Sequence, residues 1–133
     1  MRRFRRRAPV NDEGSSPVEF VLVGALLTVL TLGVLQFGLA VYVRNVVHDA
    51  AVEGAYHAAL ADTSLAEGAE RTREIVARTV GDEYAADVEV RESGRLGHPV
   101  VEVSVTAVLP LVGLFGAPRT LEVTAHAPVE SFD

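Results

Sequence analysis

The sequence predicts an α+β protein: a long N-terminal transmembrane helix that continues outside the membrane, a second amphipathic helix and a three-stranded antiparallel sheet. Residues 20–43 are apolar and uncharged, and residues 44–61 continue without a proline and are rich in alanine, a strong helix former. Residues 65–80 repeat apolar side chains at helical spacing, whereas the apolar residues between 88 and 127 mostly alternate, which is the period of a strand.

The apolar run at 20–43 has the length of a membrane span. A helix of 24 residues rises roughly 36 Å, and the hydrocarbon core of a bilayer measures about 30 Å. The run exceeds the apolar core of a secretory signal, about 7–15 residues, although a cut after Ala40 remains an alternative. We therefore expect a span at 20–43 within a longer helix at 15–61.

Charge changes sign across this span. Residues 1–14 hold five arginines against two acids, and residues 15–133 hold seven arginines against sixteen acids. Basic residues mark the cytoplasmic side, so we expect a cytoplasmic leader at 1–14 and an extracytoplasmic αβ domain at 62–133. The acidic balance argues against a nucleic-acid partner. The chain has no cysteine, which excludes disulfides and zinc–thiolate sites.

A single acid, Glu19, stands at the head of the apolar run. One explanation is a capping box, with Ser16 as N-cap, Pro17 at the first helical position and Glu19 reaching back. A charge near lipid is nevertheless unfavourable, by about 2.5–3.5 kcal/mol at the bilayer centre and less near the surface. Intramembrane acids are functional by default, so Glu19 and its neighbour Phe20 are candidate functional residues.

Small residues recur at helical spacing along one side of the span, and they include Gly24, Thr28, Thr31 and Gly38. Such a stripe lets helices approach closely in a bilayer, and Gln36 could add a hydrogen bond across the contact. Random scatter explains the pattern equally well.

The exported part begins with a second capping box, Ser64 to Glu67, which starts a helix. We expect this helix to run to about Val80 and to stop at Gly81. The predicted strands cover residues 88–91, 101–109 and 121–127, with a turn at 93–99. The apolar connection at 111–118 is either a contact patch or a buried segment.

Asp49, Glu53 and His57, with His48 beside them, are the one cluster with a spacing that suits a metal. A solvated stripe of weak helix pairs is the simpler interpretation. The sequence has no nucleophile elbow and no glycine-rich phosphate loop, so it predicts no enzyme activity, no cofactor and no metal.

The head of the run resembles the processing site of prepilin-like proteins: a basic leader, Gly14, four residues, then Glu19 and Phe20. The resemblance implies that a prepilin peptidase cuts between Gly14 and Ser15 and leaves the span in the product. It also implies that Glu19 faces the new N-terminal amine of a neighbouring subunit. Mature type IV pilins start with phenylalanine, and Ser15 stands there instead. A glutamate at the fifth position after the cut, preceded by small residues and followed by an aromatic one, is more similar to the Flp/Tad (tight adherence) pilus proteins.

Further residues resemble the TadE-like family of the Tad pilus system. They are Gln36-Phe37-Gly38, Ala51, Glu53-Gly54-Ala55, Ala58-Ala59, Ala125-His126-Ala127 and Glu130. The family often has a proline in place of Ala25 and a basic residue in place of Tyr56.

The resemblance implies a pilin-like fold and a minor pseudopilin of the bacterial cytoplasmic membrane. Its partners would be the prepilin peptidase, the lipid bilayer, and other pilins or pseudopilins bound through the N-terminal helix. The alternative is an uncleaved, signal-anchored extracytoplasmic binding or sensor protein.

Overall fold

The computed structural model describes residues 14–85, 87–95, 97–109 and 120–130. Its helices are α1 (Ser15–Ala59), α2 (Leu65–Thr79) and a short 3₁₀ helix (Asp82–Tyr84), and its strands are β1 (Asp87–Arg95), β2 (His98–Val108) and β3 (Thr120–Pro128). The predicted α+β class is therefore confirmed. The predicted leader up to residue 13 and the predicted connection at 111–118 lie outside the described residues.

The chain divides into two compact units, Met1–Leu35 and Gln36–Asp133. The described part of the first unit, residues 14–35, is exposed along its whole length and is apolar enough to cross a membrane. Residues from Val43 onward build the core of the second unit. Val43 is the last residue of the predicted span, yet it is 2% exposed in that core, so the part of the run that is free to face lipid ends before it.

The predicted capping box at the start of α1 is wrong. The helix begins at Ser15, so Ser16 lies inside it, and its first turn contains no acid. Pro17 is accommodated because the first N–H groups of a helix have no intrahelical acceptor, so its missing N–H breaks no bond. A capping box at Ser16 therefore does not explain the glutamate at position 19.

The capping box of α2 is confirmed. The hydroxyl of Ser64 accepts from the backbone N–H of Glu67 at 3.3 Å, and Oε2 of Glu67 accepts from the N–H of Ser64 at 2.7 Å. The Ser64 hydroxyl also donates to Oε2 of Glu67 at 2.8 Å, and this bond, together with the one from the Ser64 N–H, lowers the pKa of Glu67 because both favour the charged carboxylate. The helix stops where Gly81 takes φ +119°, a conformation that glycine adopts without a Cβ penalty.

The sheet is an antiparallel meander in the order β1-β2-β3. Val105 faces Val88 on one side and Val123 on the other, and this face of the sheet is buried in the core. The turn predicted at 93–99 is shorter than expected, since Arg95 already pairs with His98. Gly97 has φ +81°, which suits a tight hairpin connection.

α1 and α2 pack so closely that glycine is required on both. A Cβ at Gly54 would lie 2.8 Å from the carbonyl oxygen of Gly68, and a Cβ at Gly68 would lie 2.4 Å from the Cβ of Ala58 and 2.7 Å from the carbonyl oxygen of Gly54. Thr72 is fully buried at this crossing, where its hydroxyl lies 3.0 Å from the Gly68 oxygen and 3.3 Å from the Ala50 oxygen. Small residues thus allow the two backbones to touch.

Candidate functional site: the N-terminal segment of α1

The predicted cleavage site lies at the very start of α1. Gly14 immediately precedes the helix and Ser15 is its first residue, and both are exposed. Within the part of the chain that the structure describes, a Cβ added to Gly14 meets nothing within 4 Å. A larger side chain at this position would therefore disturb no contact among the described residues.

Glu19 and Phe20 lie in the second turn of the helix, and both are exposed. Phe20 is 80% exposed, the largest exposure among the large apolar side chains of the described residues. An exposed phenylalanine on an apolar helix is stable in lipid or against another helix and is unfavourable in water. The two residues thus combine a charge with an apolar surface at the entry to the candidate span.

The two threonines of the predicted stripe hydrogen-bond within their own helix. The hydroxyl of Thr28 donates to the carbonyl oxygen of Gly24, and that of Thr31 donates to the oxygen of Leu27, both at 2.8 Å. This arrangement satisfies the hydroxyls without a partner helix, as the membrane interior requires. What the stripe offers to a neighbour is therefore shape, with methyl groups and the bare backbone of Gly24.

Gly38, the last residue of the stripe, and Gln36, the predicted hydrogen-bonding residue, fall in the second unit. Gln36 is half-buried and Gly38 is exposed, with no atom within 4 Å of a Cβ added to Gly38. The predicted contact side thus comprises Gly24, Thr28 and Thr31 in the first unit, and these two residues in the second.

The cluster with metal-like spacing does not come together as a single group. Glu53 pairs with Arg71 of α2 at 3.5 Å, whereas His48 lies 3.8 Å from Asp49. Among the residues that the structure describes, no group of three or more histidines and acids is placed to hold a metal ion.

Sequence reasoning missed a polar network on the outer face of the sheet. Arg91, Glu102 and His126 lie side by side on the three strands. Nε of Arg91 donates to Oε1 of Glu102 at 2.9 Å, and Nε2 of His126 lies 2.9 Å from Oε2. His126 is thus bonded to a buried carboxylate. Only the strand register could have revealed this, because the three residues are far apart in sequence.

This network controls the ionisation of Glu102. Hydrogen bonding from Arg91 holds the pKa of Glu102 below its ordinary value, and the bond from His126 acts in the same direction. Burial of the carboxylate opposes the shift but does not outweigh it. Glu102 is therefore a charged structural centre of the sheet, and the network leaves neither carboxylate oxygen unpaired.

Comparison with known proteins gives one match. The family model described as TadE-like protein matches residues 14–55, which begins at Gly14 and covers most of α1. The resemblance inferred from the sequence is thereby confirmed for this segment. The matched segment ends before α2 and the sheet. Neither the curated proteins nor the solved structures gave a significant match.

Proposed function

We propose that this chain is a minor pseudopilin that contributes to assembly of a Tad-type pilus after a prepilin peptidase cuts it between Gly14 and Ser15. The observation that carries the proposal is the match of residues 14–55, which starts at the glycine of the cleavage motif. The open surroundings of Gly14 support access by a peptidase.

In this proposal the exposed apolar helix anchors the protein in the cytoplasmic membrane as a single-pass span. The N-terminus is cytoplasmic and the αβ part lies outside, as the distribution of arginines suggests. Cleavage removes the basic leader and creates a free amine at Ser15. The carboxylate of Glu19 then meets the corresponding amine of a neighbouring pilin or pseudopilin, and this pairing offsets the unfavourable placement of an acid near lipid.

The mass of the protein from its native membrane tests the proposal. Intact-mass and N-terminal analysis should show a chain that begins at Ser15 in cells with an active prepilin peptidase, and the full-length chain in cells that lack it. A chain that retains its arginines in both cells would leave the alternative, an uncleaved signal-anchored binding or sensor protein.

A further inference from the structure

The second unit carries a groove between the end of α1 and the end of β3, here named the α1–β3 groove. Its volume is about 260 Å³, and it is lined by Glu53, Tyr56, His57, Leu60, Pro128 and Glu130 among the described residues. The chain leaving β3 is fixed beside the helix, since the N–H of Glu130 donates to the carbonyl oxygen of Ala59 at 3.0 Å. The groove is thus formed by two elements held together by the backbone.

Outside the apolar run of α1, most of the exposed large apolar side chains of the described residues lie in this groove. Beyond the apolar run, the large apolar side chains that are exposed in the described residues are Tyr56, Leu60 and Val108. Two of these three lie in the groove, where Tyr56 is 58% exposed. An exposed tyrosine with an adjacent leucine is the kind of surface that anchors a protein contact.

The charge of the groove is negative. Two carboxylates line it and no arginine lines it among the described residues. Glu53 shares its charge with Arg71 at 3.5 Å, but no ion pair involves Glu130 in the part of the chain that the structure describes. The carboxyl end of α1 also lies here, and the end of a helix carries partial negative charge.

We infer that the α1–β3 groove binds a segment of another exported protein that presents an arginine or lysine beside an apolar residue. The cation would lie over the ring of Tyr56 and approach Glu130, and the apolar neighbour would contact Leu60 and Pro128. The inference goes beyond the proposed function and does not depend on cleavage at Gly14.

A second copy of this chain fits the groove less well. Residues 36–133 hold seven arginines against fifteen acids, so two such units repel each other. A cationic partner gains from the same charge, and the attraction would also raise its rate of association.

Photocrosslinking in native cells tests the inference on the full-length chain. A benzophenone amino acid replaces Tyr56 in one strain and Val108, which is similarly exposed but lies outside the groove, in another. We expect a crosslink from position 56 to a different exported protein, mapped within a few residues of an arginine or lysine. Glu130→Arg should reduce this product by about tenfold, the equivalent of one charge pair of ordinary strength.

Glu122→Arg is the matched control, because Glu122 is an exposed acid of β3 outside the groove. It should leave the crosslink at position 56 unchanged, and both variants should resist protease as the parent does. The inference is overturned if position 56 crosslinks no more than position 108, if the product joins two copies of this chain, or if Glu130→Arg and Glu122→Arg act alike. The size of the chain in the same samples shows whether it is cleaved at Gly14. A failure of the proposed function is therefore distinguished from a failure of this inference.

Discussion

A Cβ placed on Gly54 of α1 would lie 1.8 Å from Oγ1 of Thr72 on α2. No rotation of a methyl group relieves this overlap, and the carbonyl oxygen of Gly68 blocks the same space at 2.8 Å. We therefore expect Gly54→Ala to separate the helices and to lower the free energy of unfolding by about 1–3 kcal/mol. A urea titration of the full chain in detergent, which unfolds the second unit, measures the change.

Gly94→Ala is the control for this prediction, because Gly94 has no atom within 4 Å of an added Cβ. Equal stability of the two variants would contradict the close packing of α1 and α2.

The lowered pKa of Glu102 predicts acid sensitivity. Its folded-state pKa lies below the unfolded value of about 4.3, so the unfolded chain binds more protons in that range. The stabilisation from this group is complete above the unfolded pKa and is lost as pH falls through the folded pKa. We expect Glu102→Gln to lower the free energy of unfolding at pH 7 and to have less effect at pH 3.

Glu122→Gln provides the comparison, since Glu122 is exposed on the neighbouring strand. A pH dependence of stability that is the same in Glu102→Gln, Glu122→Gln and the parent would show that the Arg91–Glu102–His126 network does not hold the charge of Glu102.

The capping box of α2 predicts a loss of stability when its hydroxyl is removed. Ser64→Ala leaves the N–H of Glu67 without its side-chain acceptor, and we expect a loss of about 1 kcal/mol. Ser64→Asp keeps an acceptor at the N-cap and should be nearly neutral. Thermal unfolding monitored by circular dichroism distinguishes the two, and equal losses would argue against the cap.

The cleavage proposal predicts a specific role for Gly14. Gly14→Leu should block removal of the leader while membrane insertion proceeds, because the added side chain meets no atom of the described structure. Gly33→Leu is the control, since Gly33 has equally open surroundings and lies away from the cleavage site. The size of the chain in the membrane fraction gives the result, and normal cutting of Gly14→Leu would refute the role assigned to this glycine.

The proposed charge pairing predicts a different defect for Glu19→Gln. The variant should be inserted and cut like the parent, but it should be lost from pilus assembly because the amide cannot neutralise the amine of a neighbour. Copurification with pilins and electron microscopy of pili measure this loss. Normal assembly of the variant would remove Glu19 from the mechanism.

The long helix was predictable from an uninterrupted apolar run and the alanine-rich, proline-free stretch that follows it. The second helix α2 and the strands were predictable from the spacing of their apolar residues. The capping box of α2 was also predictable, since its bonds are local to Ser64 and Glu67. The same motif at Ser16 failed because a capping pattern does not fix the first helical residue when Pro17 is compatible with an earlier start.

Features that depend on contacts distant in sequence were not predictable. The need for Gly54 depends on where α2 crosses α1, and the partner of His126 depends on the register of β2 against β3. The family resemblance singled out both residues without giving a physical reason. The structure supplies a physical reason for each residue: the close approach of two helix backbones at Gly54, and the bond between His126 and a buried carboxylate.

The inward-turned hydroxyls of Thr28 and Thr31 have a consequence for any helix that lies against this side of the span. Such a neighbour would contact the shape of this surface and not its hydroxyl groups, because both hydroxyls are bonded within their own helix. Thr28→Val or Thr31→Val would keep nearly the same side-chain shape and therefore the fit to the neighbouring helix. Gly24→Leu would add a bulky side chain at the contact, and no change of polar partners could compensate for it.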